Sequence, residues 1–295
     1  MSFFESSFLW LDAVLAAAIT GAAVGAVGVH AIVRRVVFLP AALSQIAGLG
    51  VVSAFLLAHM SEPIGECIVS PGLLALLFAV AGAMLLGLVP ERTSTTREWT
   101  LAAIYVLCSA LVILLGGHVP QELHDVSDIL FGNAIAIERG QMISSVVLGG
   151  LVLAVLAQLA RPLLVVAFDP VSSAAHGVAV RGLDAILFAC MGLAVAAATK
   201  VVGALPAFAF AVFPAAAALR LFHDARLVTG AAALFGAASA FFGYWASFAW
   251  SAPTGACMAA ASIVGYGALL PLSRLRARKD RTLEDRSGDA HGVAP

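Results

Sequence analysis

Long runs of apolar residues, broken only by short polar stretches, leave this chain few ways to fold. Nine such runs lie at roughly 8–33, 36–58, 68–89, 99–117, 142–167, 183–199, 201–222, 227–249 and 253–273. A helix needs about 20 mostly apolar residues to cross the hydrocarbon of a bilayer. Inside that hydrocarbon no water satisfies the backbone, so only helices or a closed barrel can cross. A barrel strand alternates apolar and polar residues. These runs are continuously apolar, so they read as helices. Composition agrees: 62% of residues are hydrophobic and 11% charged, with mean hydropathy +1.02, against about 25% charged in a soluble domain. The expected fold is an all-α polytopic membrane protein. One membrane domain spans 1–273, and 274–295 form a charged, disordered tail on the cytoplasmic side.

The basic residues orient the bundle. With the N-terminus outside and loops alternating, fourteen of the sixteen Lys and Arg fall on one side, from Arg34 and Arg35 to the tail. Only Arg139 and Lys200 fall on the other. Basic loops stay cytoplasmic, so the N-terminus is external, the C-terminus is internal and the number of spans is odd. The tight turn between Lys200 and Pro206 is where that parity would fail, were 183–222 one broken helix. No Lys or Arg precedes Arg34, so the first run reads as a retained helix, not a cleaved leader. Gly21, Gly25 and Gly28 stand at near-helical spacing, where small residues let helices approach closely. They suit packing within one subunit or a face toward another subunit.

Other classes of function drop out. A net charge of −1 gives no footprint for nucleic acid. Cys67, Cys108, Cys190 and Cys257 are isolated from one another, so no zinc knuckle or disulfide framework is signalled. No GxxxxGK[ST], HExxH, GxSxG or SxxK occurs, so the chain carries no P-loop and none of the common hydrolase signatures. Ionisable residues deep in the spans are scarce, whereas ion-coupled carriers keep some there. The chain reads as no enzyme, with its energy supplied by a partner.

Several short motifs stand in order. The second run opens Arg34-Arg35-Val36-Val37-Phe38-Leu39-Pro40-Ala41-Ala42-Leu43-Ser44-Gln45. Leu130-Phe131-Gly132-Asn133 follows the fourth run, and Phe168-Asp169-Pro170-Val171-Ser172-Ser173-Ala174-Ala175-His176-Gly177 the fifth. Then come Lys200-Val201-Val202-Gly203-Ala204-Leu205-Pro206, Val212-Phe213-Pro214-Ala215 and Ser251-Ala252-Pro253-Thr254-Gly255. This ordered set resembles the ABC-3 family, the permeases of manganese, zinc and iron importers. The resemblance implies a type II importer-like permease fold in the bacterial inner membrane, working as a homodimer. It implies cytoplasmic ATPase subunits that use ATP and Mg, an extracytoplasmic solute-binding protein, and no cofactor on this chain. It places Ser44 and Gln45 on the translocation pathway and the Asp169 to Gly177 loop against the ATPase. A secondary carrier, or a permease of the same architecture for a metal chelate or small organic ligand, are the other readings. The family writes an acidic residue and a histidine around the Ala-Leu-Ser core of the second span. Ala41 and Gln45 stand there instead.

The residues of the docking loop read well on their own. Asp169-Pro170 is a helix start, with a carboxylate near the positive end and Pro at the first helical position. Gly177 is a stop. On the outer side, His59, Glu62 and Glu66 gather in one loop, and His118, Glu122, His124, Asp125 and Asp128 in the next. Imidazole and carboxylate together suit a divalent cation, but polar residues collect in loops anyway, and a solvated acidic surface or a docking rim for a binding protein is the plainer reading. His30 and His223, at cytoplasmic span ends, are expected to cap carbonyls or reach the interface.

Overall fold

A computed structural model describes residues 7–60, 70–88, 94–118 and 139–271, and these are helical nearly throughout. In chain order the helices are α1 Ser7–Val33, α2 Leu39–Met60, α3 Pro71–Leu88, α4 Ser94–Gly116 and α5 Arg139–Phe168. The short α6 is Pro170–Ala175, followed by α7 Val180–Val202, α8 Ala204–Leu221, α9 Ala225–Trp250 and α10 Thr254–Pro271. Eight of them are long and apolar enough to cross a membrane. The ninth expected span, α3, is shorter. Its 18 residues reach about 27 Å at 1.5 Å per residue, close to the roughly 30 Å of hydrocarbon.

The helices centre on α1, which packs against α5, α7, α8 and α9. Its core-facing side is small and apolar: Ala16, Ala17, Ala23, Ala26 and Val29 are fully buried. A Cβ added at Gly25 would sit 2.5 Å from the Ala232 carbonyl oxygen of α9, and one at Gly21 2.9 Å from that of Gly236. Gly21 and Gly25 therefore seat α1 on its own chain's α9, and Gly28 seats it on Ala211 of α8, so the stripe packs within the subunit. Lipid tails are as apolar as side chains, so such close van der Waals packing, not burial from water, joins these helices.

The turn in doubt is a reversal. Gly203 has φ 92°, ψ 170°, a conformation that favours glycine. It ends α7 and starts α8, and Pro206 falls in the first turn of α8, where its missing N–H is harmless. The near end of α7 carries Asp184, paired to Arg34 at 2.6 Å beside the end of α1. The far end of α8 brings Ala215 and Ala218 against Val29 of α1 and Val228 of α9. Both lie at one end of the bundle, so α7 and α8 run antiparallel. That end gathers Arg34, Arg35, Arg97, Arg161, Arg181, Arg220 and Arg226. Arg139, 4.0 Å from Asp12, and Lys200, beside Gly72 at the start of α3, mark the other.

Helix ends shift by a few residues from the hydropathy limits. α4 begins at Ser94, not 99, and α7 runs to Val202, past Lys200. Helical hydrogen bonding continues beyond the apolar run wherever polar side chains can reach the interface.

Candidate functional site

A chamber of about 410 Å³ opens between α2, α4 and α8. Helical spacing explains its walls. Phe38, Ala41, Ser44 and Gln45 repeat every three or four residues along one face of α2 and the residue before it. Tyr105, Ser109 and Ile113 repeat every four along α4, and Ala204, Leu205 and Phe208 open α8. The Phe38 and Phe208 rings meet at 6.1 Å between centroids on its wall.

Ser44 and Gln45, expected on the pathway, both line this chamber and are both buried. The Ser44 hydroxyl donates to the Ala41 carbonyl at 2.8 Å, which leaves its lone pairs open. The Gln45 Oε1 is buried without a hydrogen-bond partner among the described residues. The polar groups of the described lining are thus hydroxyls and an amide, all neutral.

A clamp below the chamber escaped the sequence reading. The Glu98 carboxylate of α4 accepts from the Val37 N–H at 2.8 Å and the Phe38 N–H at 3.3 Å. Those N–H groups stand in the turn just before Leu39, the first residue of α2, where an anion is also favoured by the helix dipole. A residue 61 positions away in sequence gives no local signal of such a cap. Tyr105 and Ser109 were equally unmarked, although their four-residue spacing within an apolar run could have singled them out.

The second expected feature is the loop after α5, and it forms as read. The Asp169 side chain accepts from the Ser172 N–H at 2.9 Å. Gly177 has φ 79°, and behind it the Val178 N–H closes onto the Ser173 carbonyl at 3.1 Å, a Schellman end. Asp169, Pro170, Ala174 and Gly177 are all exposed, as are Phe168 and Val171.

The outer histidines and acids divide. His59 is exposed at the end of α2, and His118 at the end of α4 turns its Nδ1 onto the Leu114 carbonyl at 2.9 Å. Glu62, Glu66, Glu122, His124, Asp125 and Asp128 lie outside the described residues, as do Leu130 to Asn133. Among the described residues no three His, Cys, Asp or Glu side chains group to hold a metal ion. His223 is exposed as expected. His30 is not: its ring is fully buried and neither nitrogen has a hydrogen-bond partner among the described residues. It neither caps nor reaches the interface, because α1 is the central helix and its end is covered by neighbours.

Membrane-crossing helices around a small chamber, with a capped helix exposed at one end, define a polytopic membrane protein. The ABC 3 transport family model matches residues 7–269, and the chain belongs to that family. It is similar to the manganese transport system membrane protein MntC of Listeria innocua, 28% identical over 75% of this chain and 84% of the relative. It is 26% identical to the manganese import system permease protein ScaB of Streptococcus parasanguinis, over 86% and 87%. A probable iron transport system membrane protein of Haemophilus influenzae is 22% identical over 65% and 70%. The fold is that of PsaBC from Streptococcus pneumoniae, solved in complex with Fab, at TM-score 0.77 and 21% identity over 90% of this chain and 92% of that one. An inward-facing putative metal-chelate type ABC transporter follows at TM-score 0.71 and 17% identity, over 90% and 89%. The chain is a multi-pass cell-membrane protein.

Proposed function

We propose that this chain is the membrane-spanning subunit of an ATP-driven importer that carries a divalent transition metal (manganese, zinc or iron) into the cell. The family match across 7–269 carries the reading, and the names of the manganese and iron relatives support the cargo. Two copies of the chain form the pathway, with the chamber of α2, α4 and α8 on it. Solute arrives from an extracytoplasmic binding protein. The chain itself hydrolyses nothing and holds no cofactor, while ATP and Mg are used by cytoplasmic ATPase subunits. These dock on the exposed, doubly capped α6, where Phe168 and Val171 offer apolar surface beside Ala174. On the outer side His59, His118, His124, Glu62, Glu66 and Asp128 are the candidate ligands that hand cargo over. Such ligands must bind weakly, since an ion held tightly does not leave.

Deleting the gene and measuring energised uptake of ⁵⁴Mn, ⁶⁵Zn and ⁵⁵Fe from growth medium tests the reading. Uptake of at least one metal is expected to fall several-fold and to return on complementation. Unchanged uptake of all three would sink it.

A further inference from the structure

The walls of the chamber speak to the form in which the metal crosses. Resting on the importer reading above, we propose that the chamber between α2, α4 and α8 takes a metal wrapped in a small organic ligand of low net charge, not the bare cation. Transition metals are held by imidazole, thiolate or carboxylate. The described lining offers Ser44, Gln45, Tyr105 and Ser109 as its polar groups, and none of them carries charge or an imidazole. An uncompensated divalent ion between helices meets a large desolvation cost. That cost grows steeply with net charge, so ligands that neutralise the ion remove most of it. The remaining walls fit such a complex. Phe38 and Phe208 form an aromatic wall, and Tyr105 adds a third ring with a polar tip. The volume of about 410 Å³ falls within the roughly 300–1,000 Å³ of small-molecule sites. Gln45, with its buried Oε1 unpartnered among the described residues, is a neutral group able both to donate to and to accept from an organic ligand.

Ala41 and Gln45 are one helical turn apart and both line the chamber, so a carboxylate and an imidazole placed there would meet a bare ion together. The test compares wild type with Ala41→Asp/Gln45→His in a deletion strain. The probes are aquo-⁶⁵Zn and bis(picolinato)zinc, a neutral aromatic complex labelled with ⁶⁵Zn and ¹⁴C. Wild type is expected to import zinc and picolinate together at about one to two, and to import aquo-zinc at a tenth or less of the double variant's rate. The near-isosteric Gln45→Glu gives the same aquo-zinc gain where the double variant does not reach the membrane. Equal aquo-zinc uptake by wild type and variant, zinc entering without its picolinate, or wild-type uptake of neither form overturns the inference. The first two outcomes leave the importer reading standing. That reading fails separately, if deletion changes the uptake of no metal from growth medium.

Discussion

At the scale of single residues, two carboxylates organise helix starts at the arginine-rich end. Asp224 accepts from the N–H groups of Arg226 at 2.9 Å and Leu227 at 3.3 Å. These bonds hold its carboxyl below the usual range against an opposing desolvation, and the nearby Arg161 and Arg226 lower it further. A depressed pKa stabilises the fold above the unfolded value of about 3.9, and that contribution disappears as pH falls through the folded value. Amide exchange read as protection factors should therefore keep Arg226 and Leu227 protected from neutral pH to below about 3.9. Asp224→Ala should expose both at neutral pH; equal protection in the variant rules the cap out. Glu98 makes the longer-range cap. Losing one such partly buried, charge-assisted pair costs about 1–2 kcal/mol. Glu98→Ala should lower the melting temperature in detergent and speed exchange at Val37 and Phe38, and an unchanged melt with unchanged exchange contradicts the clamp.

At the scale of elements, α6 offers the sharpest separation of fold from function. Its caps are internal to the loop, and Ala174 points to solvent, so a larger side chain there meets no neighbour within the bundle. Ala174→Trp should leave the melting temperature within about 1 °C, since exposed substitutions change stability by roughly 0.5 kcal/mol or less. It should nonetheless abolish ATPase stimulation in the assembled complex. Full stimulation would show that the ATPase docks elsewhere. Gly177 is a less clean target, because its φ of 79° strains any other residue whatever docks there.

At the scale of the whole molecule, the bias of basic residues predicts that the arginine-rich end faces the cytoplasm. The Asp184–Arg34 pair and the packing of α8 onto Val29 locate that end without reference to charge counting. With Cys67 changed to Ser, cysteines introduced at His118 and Ala175 test the orientation on intact cells. An impermeant maleimide should label His118→Cys and spare Ala175→Cys. The opposite pattern inverts the molecule.

Helix class, the approximate spans, the charge bias and the capped α6 were all legible in the residues. Each depends on neighbours a few positions apart: apolar length, loop charge, Asp169-Pro170 before a turn and Gly177 after it. The ordered motifs carried the family. What depended on distant pairings was not legible. Nothing local shows that α1 is the central helix, that Gly25 faces Ala232, or that Glu98 caps the start of α2. His30 has the sequence position of an interface residue, and only its covering by neighbouring helices buries it. Ser44 and Gln45 could be marked from their motif, but the chamber around them needed α4 and α8 beside α2. Membrane helices form from local hydrogen bonds and the hydrophobic length of the segment, so sequence determines them nearly alone. Which faces then meet is decided by close packing between helices far apart in the chain, and only the tertiary structure holds that information.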